Sequence, residues 1–271
     1  MNKKIRTFPI CIASFLVGSV IASWWIELVA KADQFDSNSI AAIKNERIDP
    51  ATLEFGDPPL FDPTIDYASK LKVKLLQVGY FHSNEVPYNS GEEWLGLFRV
   101  ERRYELRWST IKVRRIGNAE LFDREISTSD SPKAIFLLRG ADDLQTGPIV
   151  TVFDDIDGEG FLDFGSGKSF GLRGSFWWLS TEKADKNGFP QKGTSLVLKQ
   201  TGYDPQVLRS LPDGCNDCAW RLLWVGDLNN DQSLDFLIDV SDHYNAYEPT
   251  LFVSTPGYGY SVYASFRGVG C

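Results

Sequence analysis

Arg103-Tyr104-Glu105-Leu106-Arg107-Trp108-Ser109-Thr110-Ile111-Lys112-Val113-Arg114-Arg115 alternates apolar and charged side chains along most of its length. An apolar residue at every second position is the period of a strand with one wet face; a helix would repeat every three or four. Tyr104, Leu106 and Trp108 hold one parity and Ile111 and Val113 the other, which predicts a turn or bulge near Ser109-Thr110. Upstream, Leu71, Val73 and Leu75 alternate with Lys72 and Lys74, and further strands are expected over 94–100 and 134–138. Residues 69–139 therefore read as a small antiparallel β region, a sheet or a barrel. The basic residues Arg99, Arg102, Arg103, Arg107, Lys112, Arg114 and Arg115 fall between apolar ones, as on the solvated face of a half-buried sheet.

The rest of the chain, 140–271, carries strand-like runs at 149–153, 175–179, 195–198, 220–225, 236–240, 250–253 and 258–266, separated by Gly, Asp, Asn and Pro clusters. No amphipathic helices intervene, which argues against a parallel α/β sheet. The fold expected is mainly β, built of antiparallel sheets.

Two acidic loops stand out in this half. Asp155-Ile156-Asp157-Gly158-Glu159-Gly160-Phe161-Leu162-Asp163-Phe164 and Asp227-Leu228-Asn229-Asn230-Asp231-Gln232-Ser233-Leu234-Asp235-Phe236 both place oxygen-bearing side chains at positions one, three, five and nine. Both follow an apolar run and both end in Leu-Asp-Phe, so they read as hairpin loops in a degenerate internal repeat. Calcium takes about six to eight oxygens, several of them charged, and a tightly curled loop with oxygens at alternate positions can aim them at one centre. The expected ligands are Asp155, Asp157, Glu159 and Asp163 with the carbonyl of Phe161, and Asp227, Asn229, Asp231 and Asp235 with the carbonyl of Ser233. Magnesium demands a stricter octahedron, and zinc would want His or Cys. The twelfth positions, Ser166 and Ile238, exclude an EF-hand. Without a cation, carboxylates this close repel one another.

The stretch Val225-Gly226-Asp227-Leu228-Asn229-Asn230-Asp231-Gln232-Ser233-Leu234-Asp235-Phe236-Leu237-Ile238 resembles the calcium hairpin of integrin-alpha-type repeats, the FG-GAP or VCBS family. The resemblance implies two calcium sites, a fold with partial propeller character, and a role in adhesion or ligand binding rather than catalysis. The sequence departs from the family pattern at Asn230 and Gln232, where glycines are usual, and at the longer Glu159.

The N-terminus reads as an export signal. Lys3, Lys4 and Arg6 precede an uncharged run over 8–26, and Ala30-Lys31-Ala32 offers small residues for cleavage after Ala32. The alternative is an uncleaved anchor over the same run, with Trp24 and Trp25 at the interface. Either way the body belongs outside the cytoplasm, periplasmic or secreted. Residues 33–68, with Pro50, Pro58, Pro59 and Pro63, read as an extended arm or linker. The formal net charge is −8, and the first 32 residues are basic on balance, so the body is more acidic than the whole. Such a body repels nucleic acid and anionic lipid and attracts cations. Cys215, Cys218 and Cys271 are disulfide candidates in an oxidising compartment. Cys215-Asn216-Asp217-Cys218 is expected to be a staple near a turn, and Cys271 could bond to either member of the pair.

Catalytic signatures are weak. Gly167-Lys168-Ser169 lacks the upstream glycine of a phosphate loop, and no Gly-x-Ser-x-Gly elbow occurs. His243, close in sequence to Asp239 and Asp242, is the one place where a general base could stand beside carboxylates. The first expectation is thus a non-catalytic, calcium-stabilised extracytoplasmic protein presenting loops to a protein or glycan partner. The rivals are an exported hydrolase with structural calcium and a site near Asp239, Asp242 and His243, and an envelope inhibitor or immunity-type protein.

Overall fold

The computed structural model describes residues 71–82, 84–117, 122–129, 134–211, 213–215, 217–255, 257 and 259–269. The export segment, the arm over 33–68 and Cys271 lie outside the described residues. Within them the chain is all β, as the alternation implies, with no helix.

Nine strands close a barrel. In spatial order they are β4 (Arg103–Arg115), β3 (Glu93–Val100), β6 (Ala134–Arg139), β1 (Val73–Leu76), β16 (Gly259–Ser265), β15 (Pro249–Thr255), β13 (Asp235–Asp239), β12 (Arg221–Asp227) and β7 (Gly147–Asp154). The ring closes through β4–β7, where Tyr104 lies opposite Ile149 and Leu106 opposite Gly147. All the pairings are antiparallel except β1–β16, which is parallel. The two β regions read from sequence as 69–139 and 140–271 are therefore one body. The β4–β7 and β1–β16 ladders join them, because neither sheet alone could cover its edges. The propeller character implied by the family resemblance is likewise replaced: these strands form a closed barrel.

The β4 strand accounts for the switched parity without a break. Its register with β3 runs unbroken from Glu93–Thr110 to Val100–Arg103, so there is no turn or bulge at Ser109-Thr110. What changes is the neighbour on the other edge. Residues Tyr104 to Leu106 pair with β7, whereas Ile111 to Arg115 pair with β5 (Arg124–Thr128), which in turn pairs with β2 (Gly79–Phe81). Leaving the barrel, the strand buries its other face, through Ser109 and Ile111.

A second sheet packs on the outside. Its strands are β8 (Gly167–Leu172), β9 (Ser175–Ala184), β10 (Pro190–Gln200) and β11 (Gln206–Leu211), a four-stranded meander inserted between β7 and β12. Its turns carry the chemistry such turns need. Arg173 and Gly174 both adopt positive φ in the two-residue β8–β9 connection. In the β9–β10 turn, Asp185 Oδ1 accepts the amide protons of Asn187 and Phe189, both at 2.8 Å. A small pair, β14 (Ala246–Tyr247) and β17 (Gly268–Val269), completes the structure.

Two apolar cores result. One fills the barrel with Leu75, Leu95, Phe136, Trp224, Leu237 and Leu251 among others. The other joins barrel to sheet, where Trp177, Leu179, Leu196 and Leu198 meet Leu222, Phe236, Ile238 and Phe252. β13 lies between them, and all five of its residues are buried. Its alternate side chains serve the two cores: Leu237 points into one, Phe236 and Ile238 into the other.

Candidate metal centre

The loop over 227–235 joins β12 and β13 as a true hairpin, with Gly226 opposite Asp235. Two leucines fix it. Leu228 is buried in the barrel core and Leu234 in the core between barrel and sheet. Asn230 and Gln232 adopt left-handed φ of 59° and 73°. These are the two positions where the family pattern has glycine, so the backbone takes a curl that glycine would adopt without strain.

The curl brings Asp227, Asn229, Asp231 and Asp235 to the inner side of the hairpin. Asp235 is fully buried; Leu228 N donates to its Oδ2 at 2.7 Å and Ser254 N to its Oδ1 at 2.8 Å. Burial pushes its carboxyl up to about 8, against the pull of those two amides. Asp231 Oδ2 accepts the Ser254 hydroxyl at 2.6 Å and the Asn229 amide at 3.1 Å, and its Oδ1 accepts Ser233 N at 2.8 Å. Asp227 is buried as well. Its Oδ2 accepts Gln232 N at 3.1 Å, while its Oδ1 is buried with no hydrogen-bond partner. Burial raises the Asp227 pKa, and the charge of Asp231 adds to the effect; Arg173 opposes it as the weakest of the influences. Ser254, on β15, was not foreseen from the sequence. It binds both Asp231 and Asp235, and nothing local to residue 254 signals a cross-strand neighbour.

The loop over 155–163 behaves otherwise. It is not a hairpin: β7 pairs with β12 and β4, and the loop crosses from the barrel to the outer sheet. It docks along the start of β12, where Leu222 N donates to Gly160 O at 2.8 Å and Leu162 N to Trp220 O at 3.0 Å. This places Arg221 against Asp155, and the two form an ion pair. Asp155 Oδ1 also accepts Gly160 N at 2.7 Å. The Arg221 guanidinium sits over the exposed Phe161 ring, 5.1 Å from its centroid. Asp157, Glu159 and Asp163 are exposed. The structure thus ties Asn229, Asp231 and Asp235 of the second loop to Ser254, with Asp227 buried in the same hairpin, and leaves the oxygen residues of the first loop apart, where an arginine already neutralises the one buried carboxylate.

Among the described residues no three His, Cys, Asp or Glu side chains stand around one point at metal-binding distance. In the second loop the carboxylates spend their lone pairs on backbone amides and Ser254 instead. The residues nonetheless fit a hard divalent cation on one count: Asp227 Oδ1 is a buried carboxylate oxygen with no donor, a cost of about 1–3 kcal/mol.

The other candidates are dispersed. Asp239 is buried, and its Oδ1 accepts Ser241 N at 3.1 Å and Glu248 N at 2.9 Å, a turn-holding role. Asp242 pairs with Arg267 at 3.4 Å. His243 is exposed beside Tyr244, with Asp217 3.6 Å from its Nε2. Cys215 and Cys218 are joined in a disulfide, their Cα atoms 5.8 Å apart, within the ordinary range for such a bridge. Compared with family models, curated proteins and solved structures, the chain finds no match.

Proposed function

We propose that this is a non-catalytic, extracytoplasmic binding protein whose β12–β13 hairpin is stabilised by one calcium ion. Asp227, Asn229, Asp231 and Asp235 would hold the ion, with the Ser233 carbonyl and Ser254 within the same loop cluster. The observation that carries the reading is the unpartnered, buried Oδ1 of Asp227 beside Asp231 and the buried Asp235. A bound cation would offset this charge and supply cross-linking between β12, β13 and β15, with no chemistry of its own. The left-handed Asn230 and Gln232 further support kinship with the FG-GAP hairpin.

The binding role draws on the outer sheet. Phe176 and Trp178 project from β9 into solvent, 64% and 44% exposed, their rings beside Gly171 and Gly167 of the edge strand β8. Exposed aromatic rings on a flat face suit a protein or glycan partner. Calcium titration of the full chain by calorimetry tests the metal: one ion per chain is expected, and none after Asp231→Ala. Absence of binding to the parent chain contradicts the proposal.

A further inference from the structure

The end of the barrel opposite the 227–235 hairpin opens into a cavity of about 780 Å³. The end of β1, the β3–β4 turn, the start of β6, the end of β7 and the start of β12 converge there. The volume lies within the roughly 300–1,000 Å³ typical of small-molecule sites, and barrel mouths are a recurrent place for them.

The floor is apolar. Val78, Val100, Ile135 and Leu223 pack on the barrel core from below yet remain only partly buried. The rim is built from two neutral ion pairs. Asp154 accepts the Tyr104 hydroxyl at 2.6 Å and faces Arg99 at 3.5 Å; Asp155 accepts Gly160 N and pairs with Arg221. Within each pair the exposure is unequal. The Asp154 and Asp155 side chains are 12% and 4% exposed, those of Arg99 and Arg221 37% and 36%. Arg99 directs Nε to the Glu101 carbonyl at 3.2 Å and Nη1 to Asp154, which leaves Nη2, while Arg221 directs Nε to Asp155 and leaves both terminal nitrogens; both side chains line the cavity. The carboxylates are turned inward to internal donors, and an incoming molecule meets the guanidinium edges. Glu101, the remaining acid of the lining, stands exposed on the β3–β4 turn, where water screens it.

We propose that the barrel mouth binds a small amphipathic carboxylate, its head on Arg99 and Arg221 and its apolar body on Val78, Val100, Ile135 and Leu223. Guanidinium forks held in place by buried aspartates are pre-organised for planar, bidentate acceptors. A carboxylate is held here by guanidinium hydrogen bonds and not by net charge, because each Asp–Arg pair is neutral and Glu101 leaves the lining one negative charge in excess. A doubly charged head would be repelled more strongly by Asp154, Asp155 and Glu101.

Octanoate serves as the probe, with octanamide (same body, neutral head) and acetate (same head, no body) as controls. Calorimetry on the full chain should give one octanoate site, roughly tenfold or more tighter than octanamide or acetate. Methyl resonances of Val78, Val100, Ile135 and Leu223 should shift together. Arg99→Gln should weaken octanoate roughly fivefold or more and leave octanamide unchanged. Val100→Trp, which fills the floor, should remove both. The proposal is overturned if octanoate and octanamide bind alike, if neither binds at millimolar concentration, or if the shifted methyls lie elsewhere. Equally fatal would be a folded Val100→Trp variant that binds octanoate as the parent does. Should both variants fail to fold, the octanoate-to-octanamide ratio on the parent chain decides the matter alone.

Discussion

The same oxygen spacing has two outcomes in this chain, and single residues decide between them. At 155–163 the arginine that begins β12 reaches Asp155 and supplies the positive charge. At 227–235 no such partner reaches Asp227, whose Oδ1 stays bare in the interior. Asp227→Asn removes that charge while keeping the side-chain shape. In chelator the variant should therefore melt higher than the parent, by about 2–4 °C for each kcal/mol relieved, and its melting should no longer respond to calcium. A calorimetric scan with and without calcium checks both parts. Asp239 sets a second expectation. Burial raises its pKa, more than the amides of Glu248 and Ser241 lower it. The folded protein then holds this proton to higher pH than the unfolded chain does. The associated stability is present below the ordinary aspartate range and is lost as pH rises through the raised folded value. Asp239→Asn keeps an oxygen for both amides and should flatten the fall in melting temperature as pH rises from the ordinary aspartate range. An unchanged slope would assign that fall to other groups. At this scale the sequence displayed the acidic residues and their register. It could not display Arg221 or Ser254, which meet the loops only through strand pairing across the barrel.

Among elements, the β12–β13 hairpin and the outer sheet carry the organisation. β13 is apolar at Phe236, Leu237 and Ile238 without alternation, since both its faces are covered. That pattern was legible as a strand, but which core each side chain enters was not. β8 and β11 escaped notice because they are edge strands of the outer sheet, short, and in β8 interrupted by Gly167 and Gly171. Several polar contacts pin this sheet to the barrel, and one lies within the buried core: Trp177 Nε1 on β9 donates to the Tyr260 hydroxyl on β16 at 2.8 Å. Tyr260→Phe leaves the indole N–H with no acceptor at that position, a loss of about 1–3 kcal/mol. Chemical denaturation should show a lower midpoint with an unchanged slope. A changed slope would mean instead that the sheet has come away from the barrel.

For the whole molecule, composition and alternation were enough to place the chain in the β class, and the absence of amphipathic helices held throughout the described residues. Barrel closure was not foreseeable. It rests on β4 meeting β7 and on β1 lying parallel to β16, pairings between residues far apart in sequence that leave no periodic mark. Closure also explains the division of labour proposed here. The 227–235 hairpin closes one end of the barrel through Leu228, and the cavity with Arg99 and Arg221 opens at the other. A metal at the closed end would stiffen three barrel strands at once, because Asp227, Asp235 and Ser254 belong to β12, β13 and β15. The direct test is the melting temperature of the full chain in excess calcium against excess EGTA, with Asp231→Ala alongside. With calcium the parent should melt at least about 5 °C higher, roughly the effect of free ion at a hundred times its dissociation constant, and the variant should not shift. Identical melting of the parent in calcium and in EGTA would rule out the bound ion.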